Sequence, residues 1–103
     1  NPIHDAEIRS ISLTTSAPLS AEKFDTWISD VLMDQGQNIL RTKGILNIAN
    51  NEKRFVYQAV HMVSEGDFTG AWPAQDNRRS RLVFIGRKLD EAALEKGFHS
   101  CIA

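Results

Sequence analysis

The chain has 103 residues, enough for one domain built around one core. Hydrophobic residues are 42%, charged residues 24% and the net charge −1, which excludes a fibrous or charge-driven disordered chain and leaves no whole-chain field to attract nucleic acid or a membrane. No run approaches the ~18 apolar residues of a bilayer-spanning helix, and the single cysteine, Cys101, excludes an internal disulfide and fits a reducing, cytoplasmic setting.

Residues 1–7 are mostly polar and read as the end of a linker. The chain begins without methionine and almost directly on a strand-like segment, which suggests an N-terminal neighbour. Ile8 to Thr14 alternates with period two, the pattern of a short strand. After the turn at Ser16–Pro18, Ser20 is placed to cap a helix, because its hydroxyl can accept an orphan backbone N–H of the first turn. Glu22 suits the positive end of the helix dipole, and Leu19 and Phe24 have the spacing of a hydrophobic staple. Phe24, Trp27, Ile28, Val31 and Leu32 follow the stripe of an amphipathic helix, which Gly36 is expected to end. Ile39 and Leu40 read as one further helical turn.

Ile45–Ala49 is a short apolar run, and Arg54–Val63 is the longest strand candidate. Asn50–Lys53 joins them as a hairpin-length turn. Along the second strand Phe55, Tyr57, Ala59, His61 and Val63 share one face, with Val56, Gln58, Val60 and Met62 on the other. Both faces are largely apolar, which predicts a central strand covered on both sides. Ser64–Asn77 is rich in Gly, Asp and other polar residues and reads as a loop holding Phe68 and Trp72. Ser80–Gly86 alternates as a third long strand. Asp90 then caps a last helix, with Leu89 and Leu94 as a second staple and Phe98, Cys101 and Ile102 on its apolar side. The predicted order is β-α-β-β-β-α, an α+β fold with a mainly antiparallel sheet and the helices packed on one face.

Motifs for chemistry are absent. The glycines match neither the P-loop nor the dinucleotide fingerprint, and there is no nucleophile elbow, His-Glu-x-x-His or Cys-x-x-Cys pair. The candidate metal ligands are His61, His99 and Cys101, with His4 in the linker. His99 and Cys101, two apart, would diverge by about 200° on a helix. For His61 the competing reading is a histidine whose ring nitrogens have ordinary hydrogen-bond partners. Arg79 and Arg81 enter a strand either as solvated charge at a sheet edge or as a fork for carboxylate or phosphate at an interface. Trp72, in a loop before Pro73, either caps the core or belongs to a contact surface.

Taken together, Ile8–Leu13, Lys43-Gly44-Ile45-Leu46, Phe55–His61, Trp72-Pro73 and Arg79–Arg87 resemble the C-terminal domain of the CobW family, GTPases regarded as metal chaperones. The order and spacing of the segments agree over nearly the whole chain. The family's usual Gly-Val-His stands here as Ala59-Val60-His61. The resemblance implies that 1–7 is a linker remnant from a missing N-terminal GTPase domain and that 8–103 is the CobW C-terminal-like domain. GTP, magnesium and a transition metal, zinc or cobalt, then belong to the parent protein, and no cofactor or catalytic residue belongs to this chain. The expected role is client recognition or coupling of nucleotide state to metal delivery. The expected partners are the GTPase domain in cis, a client metalloprotein and a second copy of the chain. The alternative is an accessory zinc or cobalt site built from His61, His99 or Cys101.

Overall fold

The structure, a computed structural model, describes residues 8–103. The linker reading of residues 1–7, and His4 with it, lies outside the described residues. The elements in chain order are β1 (Ile8–Thr15), α1 (Ala21–Gln35), β2 (Ile39–Leu46), β3 (Lys53–Val60), β4 (Val63–Ala71), β5 (Ser80–Arg87) and α2 (Glu91–His99). The five strands form one sheet in the order β1-β5-β2-β3-β4, and every neighbouring pair is antiparallel. β1 and β2 therefore run parallel on either side of β5, and α1 makes the crossover between them.

Both helices start where the capping residues predict. The Ser20 hydroxyl accepts the Lys23 N–H at 3.2 Å, and the Asp90 carboxylate accepts the Ala93 N–H at 3.0 Å. Gly36 ends α1 with an ordinary right-handed φ of −56°. The apolar stripe Phe24, Ile28, Val31 and Leu32 is buried against the sheet, as are Leu94 and Phe98 of α2. The inward residues of the strands complete the core, notably Leu13, Leu46, Leu82 and Phe84. The C-terminus is tied back over the start of α1: the Ser20 N–H donates to the Cys101 carbonyl at 2.7 Å and the Ala103 N–H to the Pro18 carbonyl at 3.0 Å.

Three expectations are corrected. Ile39 and Leu40 are not helical but open β2, with an irregularity in register between Ile39 and Arg41. The supposed loop Ser64–Asn77 contains a nine-residue strand, β4, so the sheet has one strand more than the pattern predicted. An edge strand needs few inward apolar groups, and β4 supplies one large one, Phe68. Its Ser, Gly and Asp residues have low strand propensity, which hid it. Finally, β3 is not covered on both sides. Tyr57 and Ala59 are buried, while Gln58 and Val60 on the other face are exposed.

The helices cover the inner face unevenly. Five strands at ~4.8 Å spacing are wider than two helices of ~10 Å diameter can roof completely. α2 packs on α1 and reaches β1, and no third helix sits over β4 among the described residues. The inner surface of β3 and β4, beyond the edge of α1, is left as a groove.

Candidate functional site

Two surfaces stand out, and neither is a catalytic centre. The first is the outer face of the sheet, which no helix covers among the described residues. Ser12, Val83, Lys43, Gln58 and Glu65 form one cross-strand row, and Thr14, Arg81, Ile45, Val56 and Asp67 the next. Cations dominate on β2 and β5, carboxylates appear on β4, and aliphatic side chains lie between them. Val60 is 55% exposed and Val63 79%. Arg81 Nε donates to Ser12 Oγ at 3.1 Å, and Arg79 donates to Ser16 Oγ at 3.0 Å and Thr14 Oγ1 at 2.9 Å. Hydroxyls orient these guanidinium groups without neutralising them. Among the described residues the carboxylate pairs are Arg9–Glu91 and Arg78–Glu52, both 2.6 Å, and His99–Glu95 at 3.7 Å. The hydrogen bond and charge of Arg78 hold the Glu52 carboxyl below its ordinary range. Among the described residues the outer-face cations have no such carboxylate.

The second surface is the groove beside β4. Phe24, Phe55, Tyr57 and Phe68 line it, with Asp25, Ser64 and Glu65 as polar residues of its lining, and its volume is about 270 Å³. The rings are mutually supported: Phe24 meets Tyr57 edge-on at 5.3 Å, and Phe55 lies 4.9 Å from Phe68. Gly66, opposite Tyr57 in register, lets the Phe55 ring lie on the β4 backbone, since a Cβ there would fall 2.4 Å from Phe55 Cζ. The Tyr57 hydroxyl is buried and has no hydrogen-bond partner. Ser64 is near enough to influence it but outside hydrogen-bond geometry. Burial pushes the phenol pKa up, Ser64 offsets part of the rise and the Asp25 charge adds to it.

The residues singled out from sequence are dispersed. His61 is not within a strand on the Tyr57–Ala59 face; it is exposed in the two-residue turn between β3 and β4, with φ +55°. His99 ends α2, exposed, its Nδ1 2.9 Å from the Glu95 carbonyl oxygen. Cys101 is fully buried just beyond, and its Sγ donates to the Gly97 carbonyl at 3.3 Å. Burial pushes its thiol pKa up, away from the thiolate a metal needs. Among the described residues no three His, Cys, Asp or Glu side chains are grouped to hold a metal. Trp72 is half-buried just past β4, and its indole N–H has no partner. Arg79 and Arg81 lie on the outer face as described. The groove is hidden in the sequence, because Phe68 falls in a segment whose composition reads as a loop. The only available signal was the alternation of Ser64, Gly66 and Phe68 with Glu65, Asp67 and Thr69.

Comparison with known proteins places this architecture. Residues 8–102 match the family described as cobalamin synthesis protein CobW C-terminal domain. The zinc chaperone YjiA of Escherichia coli (strain K12) is 26% identical over 92 residues, which are 89% of this chain and 29% of that protein. The zinc chaperone CobW of Pseudomonas aeruginosa is 35% identical over 66 residues, 64% of this chain and 18% of that protein. The crystal structure of Zn(II)-bound YjiA GTPase from E. coli superimposes with a TM-score of 0.89 at 25% identity, covering all of this chain and 33% of that one. The chain thus spans less than a third of the length of these curated relatives.

Proposed function

The chain belongs to the cobalamin synthesis protein CobW C-terminal domain family, and from that membership we propose that it is the accessory, partner-binding domain of a cytoplasmic GTP-dependent zinc chaperone. It contributes no catalytic group. GTP, magnesium and the main metal site belong to an N-terminal GTPase domain, to which residues 1–7 are the linker. The outer face of the sheet docks on that domain, in a contact that depends on the bound nucleotide. The observation that carries this reading is the outer face itself: a five-stranded surface whose cations pair with no carboxylate among the described residues and are set among aliphatic side chains, in a chain that spans under a third of its relatives. Such a surface suits a carboxylate-bearing protein partner, because charge steers the encounter and the apolar area holds it. Differential affinity for the two nucleotide states couples the domains.

Calorimetric titration of the chain against the parent's GTPase domain, loaded with a non-hydrolysable GTP analogue or with GDP, tests the proposal. Binding is expected to differ between the two states, to weaken with salt, and to fall about tenfold or more in the double variant Lys43→Glu, Arg81→Glu. Absence of contact in both nucleotide states, or affinity indifferent to the charge reversals, removes it.

A further inference from the structure

The groove beside β4 and the edge of β4 belong to the same corner of the molecule. Among the described residues β4 is the last strand of the sheet and pairs with β3 alone, so its outer backbone N–H and C=O groups have no strand there to bond. Strand edges of this kind accept an added strand, and a neighbouring side-chain pocket then supplies the specificity. The pocket is present here. Alternate residues of β4, namely Ser64, Gly66 and Phe68, border the groove, so an incoming strand that continues the sheet presents every second side chain to the same side.

The chemistry of the groove selects the side chain. An anion is repelled by Asp25 at the rim and by Glu65 and Asp67 on the outer side of β4. A purely apolar side chain leaves the Asp25 carboxylate at the rim without a counter-charge. A long-stemmed cation suits both the rings and the carboxylate. Its methylenes lie on Phe24, Phe55 and Phe68, and its charge faces Asp25 and the aromatic rings. We infer that the edge of β4 takes an extended segment of a partner protein as a sixth strand, with one lysine or arginine of that segment lodged in the aromatic groove. This site is on the opposite side of the sheet from the proposed GTPase contact and does not depend on it.

The test uses the whole 103-residue chain, titrated with acetylated, amidated nonapeptides of serine and threonine around one central residue: lysine, arginine, norleucine or glutamate. Binding is followed by NMR. The lysine and arginine peptides are expected to shift the ring signals of Phe24, Tyr57 and Phe68 and to slow exchange of the outward β4 amides. The norleucine and glutamate peptides are expected to bind about tenfold or more weakly. Asp25→Asn, an exposed helix substitution whose fold the same spectra check, is expected to weaken the lysine peptide several-fold and to leave the norleucine peptide unchanged. Equal binding of all four peptides overturns the proposal, as does a shift pattern confined to the outer face. Protection of the β4 amides that grows with protein concentration, without peptide, assigns the edge to a second copy of the chain and overturns it equally.

Discussion

Phe84 and Ile85 are neighbours on β5, yet the first is fully buried beneath the helices and the second is 37% exposed on the outer face. The same division runs along the other inner strands. On β3 Ala59 is buried and Val60 exposed, and on β2 Thr42 and Gly44 point inward while Lys43 and Ile45 point outward. The inner face is dense with large apolar groups whose burial pays the entropy of folding. The outer face carries aliphatic side chains too, but interleaves them with charge, and among the described residues no helix covers them. A surface kept half apolar without contributing to the core is one whose energy is reserved for association. The groove at β4 is the inner face's exception, where the two helices run out before the sheet does.

On the covered face Phe84→Ala is the most damaging substitution. A fully buried aromatic replaced by alanine is expected to cost about 3–5 kcal/mol in chemical denaturation, through lost transfer energy and the cavity left behind. Gly97→Ala comes next and reverses a general rule. In a helix interior the change usually gains about 0.5–1 kcal/mol. Here a Cβ on Gly97 would lie 2.0 Å from Nε1 of Trp27, and the rigid indole sits between Phe84 and Phe98. A loss of roughly 1–3 kcal/mol is expected, with an altered Trp27 emission. A stabilised Gly97→Ala variant would mean that α1 and α2 are not in contact through that indole.

These two residues also mark what the sequence makes legible. The helix caps at Ser20 and Asp90, the stripe from Phe24 to Leu32 and the alternation of β5 are local patterns, and each is found where it was expected. The α+β class with an antiparallel sheet and helices on one face follows from them. What local patterning misses is partnership. β4 is a strand because β3 lies beside it, although its own residues favour a loop. Ile39 and Leu40 are drawn into β2 by pairing with β5, and β3 looks doubly buried because outward aliphatics read the same as inward ones. The outer-face arginines were visible as Arg79 and Arg81. The groove was not, since it exists only where α1, β3 and β4 meet.

The alkaline limb of the stability curve probes the covered face more gently. Burial raises the pKa of both the Cys101 thiol and the Tyr57 phenol. With each folded pKa above its unfolded value, the contribution is complete below the unfolded pKa and is lost as pH rises through the folded one. The unfolded thiol titrates at about 8.5 and the phenol at about 10. Stability is therefore expected to be flat up to about pH 8 and to decline above about pH 9. Cys101→Ala should flatten the first part of that decline and Tyr57→Phe the second, measured by urea midpoints against pH. A decline unaffected by either variant would show that neither group is held protonated by burial.

The outer face is the most tolerant of substitution, and Val60, 55% exposed, tests whether it is open to water. Val60→Thr keeps a β-branched residue, and with it the strand propensity, while exchanging a methyl for a hydroxyl. If the outer face is open to water, the hydroxyl is solvated and the stability of the chain changes by no more than about 0.5 kcal/mol. The same exchange at a covered position would bury an unpaired hydroxyl and cost about 1–3 kcal/mol. Sedimentation at several concentrations, run alongside the denaturation curves, separates the causes of any larger loss. A cost that grows with protein concentration places a second copy of the chain on this face. A cost independent of concentration places part of the chain itself over it. Only a negligible change leaves the face free for the GTPase domain, where Val60→Thr should weaken docking that it does not weaken in folding.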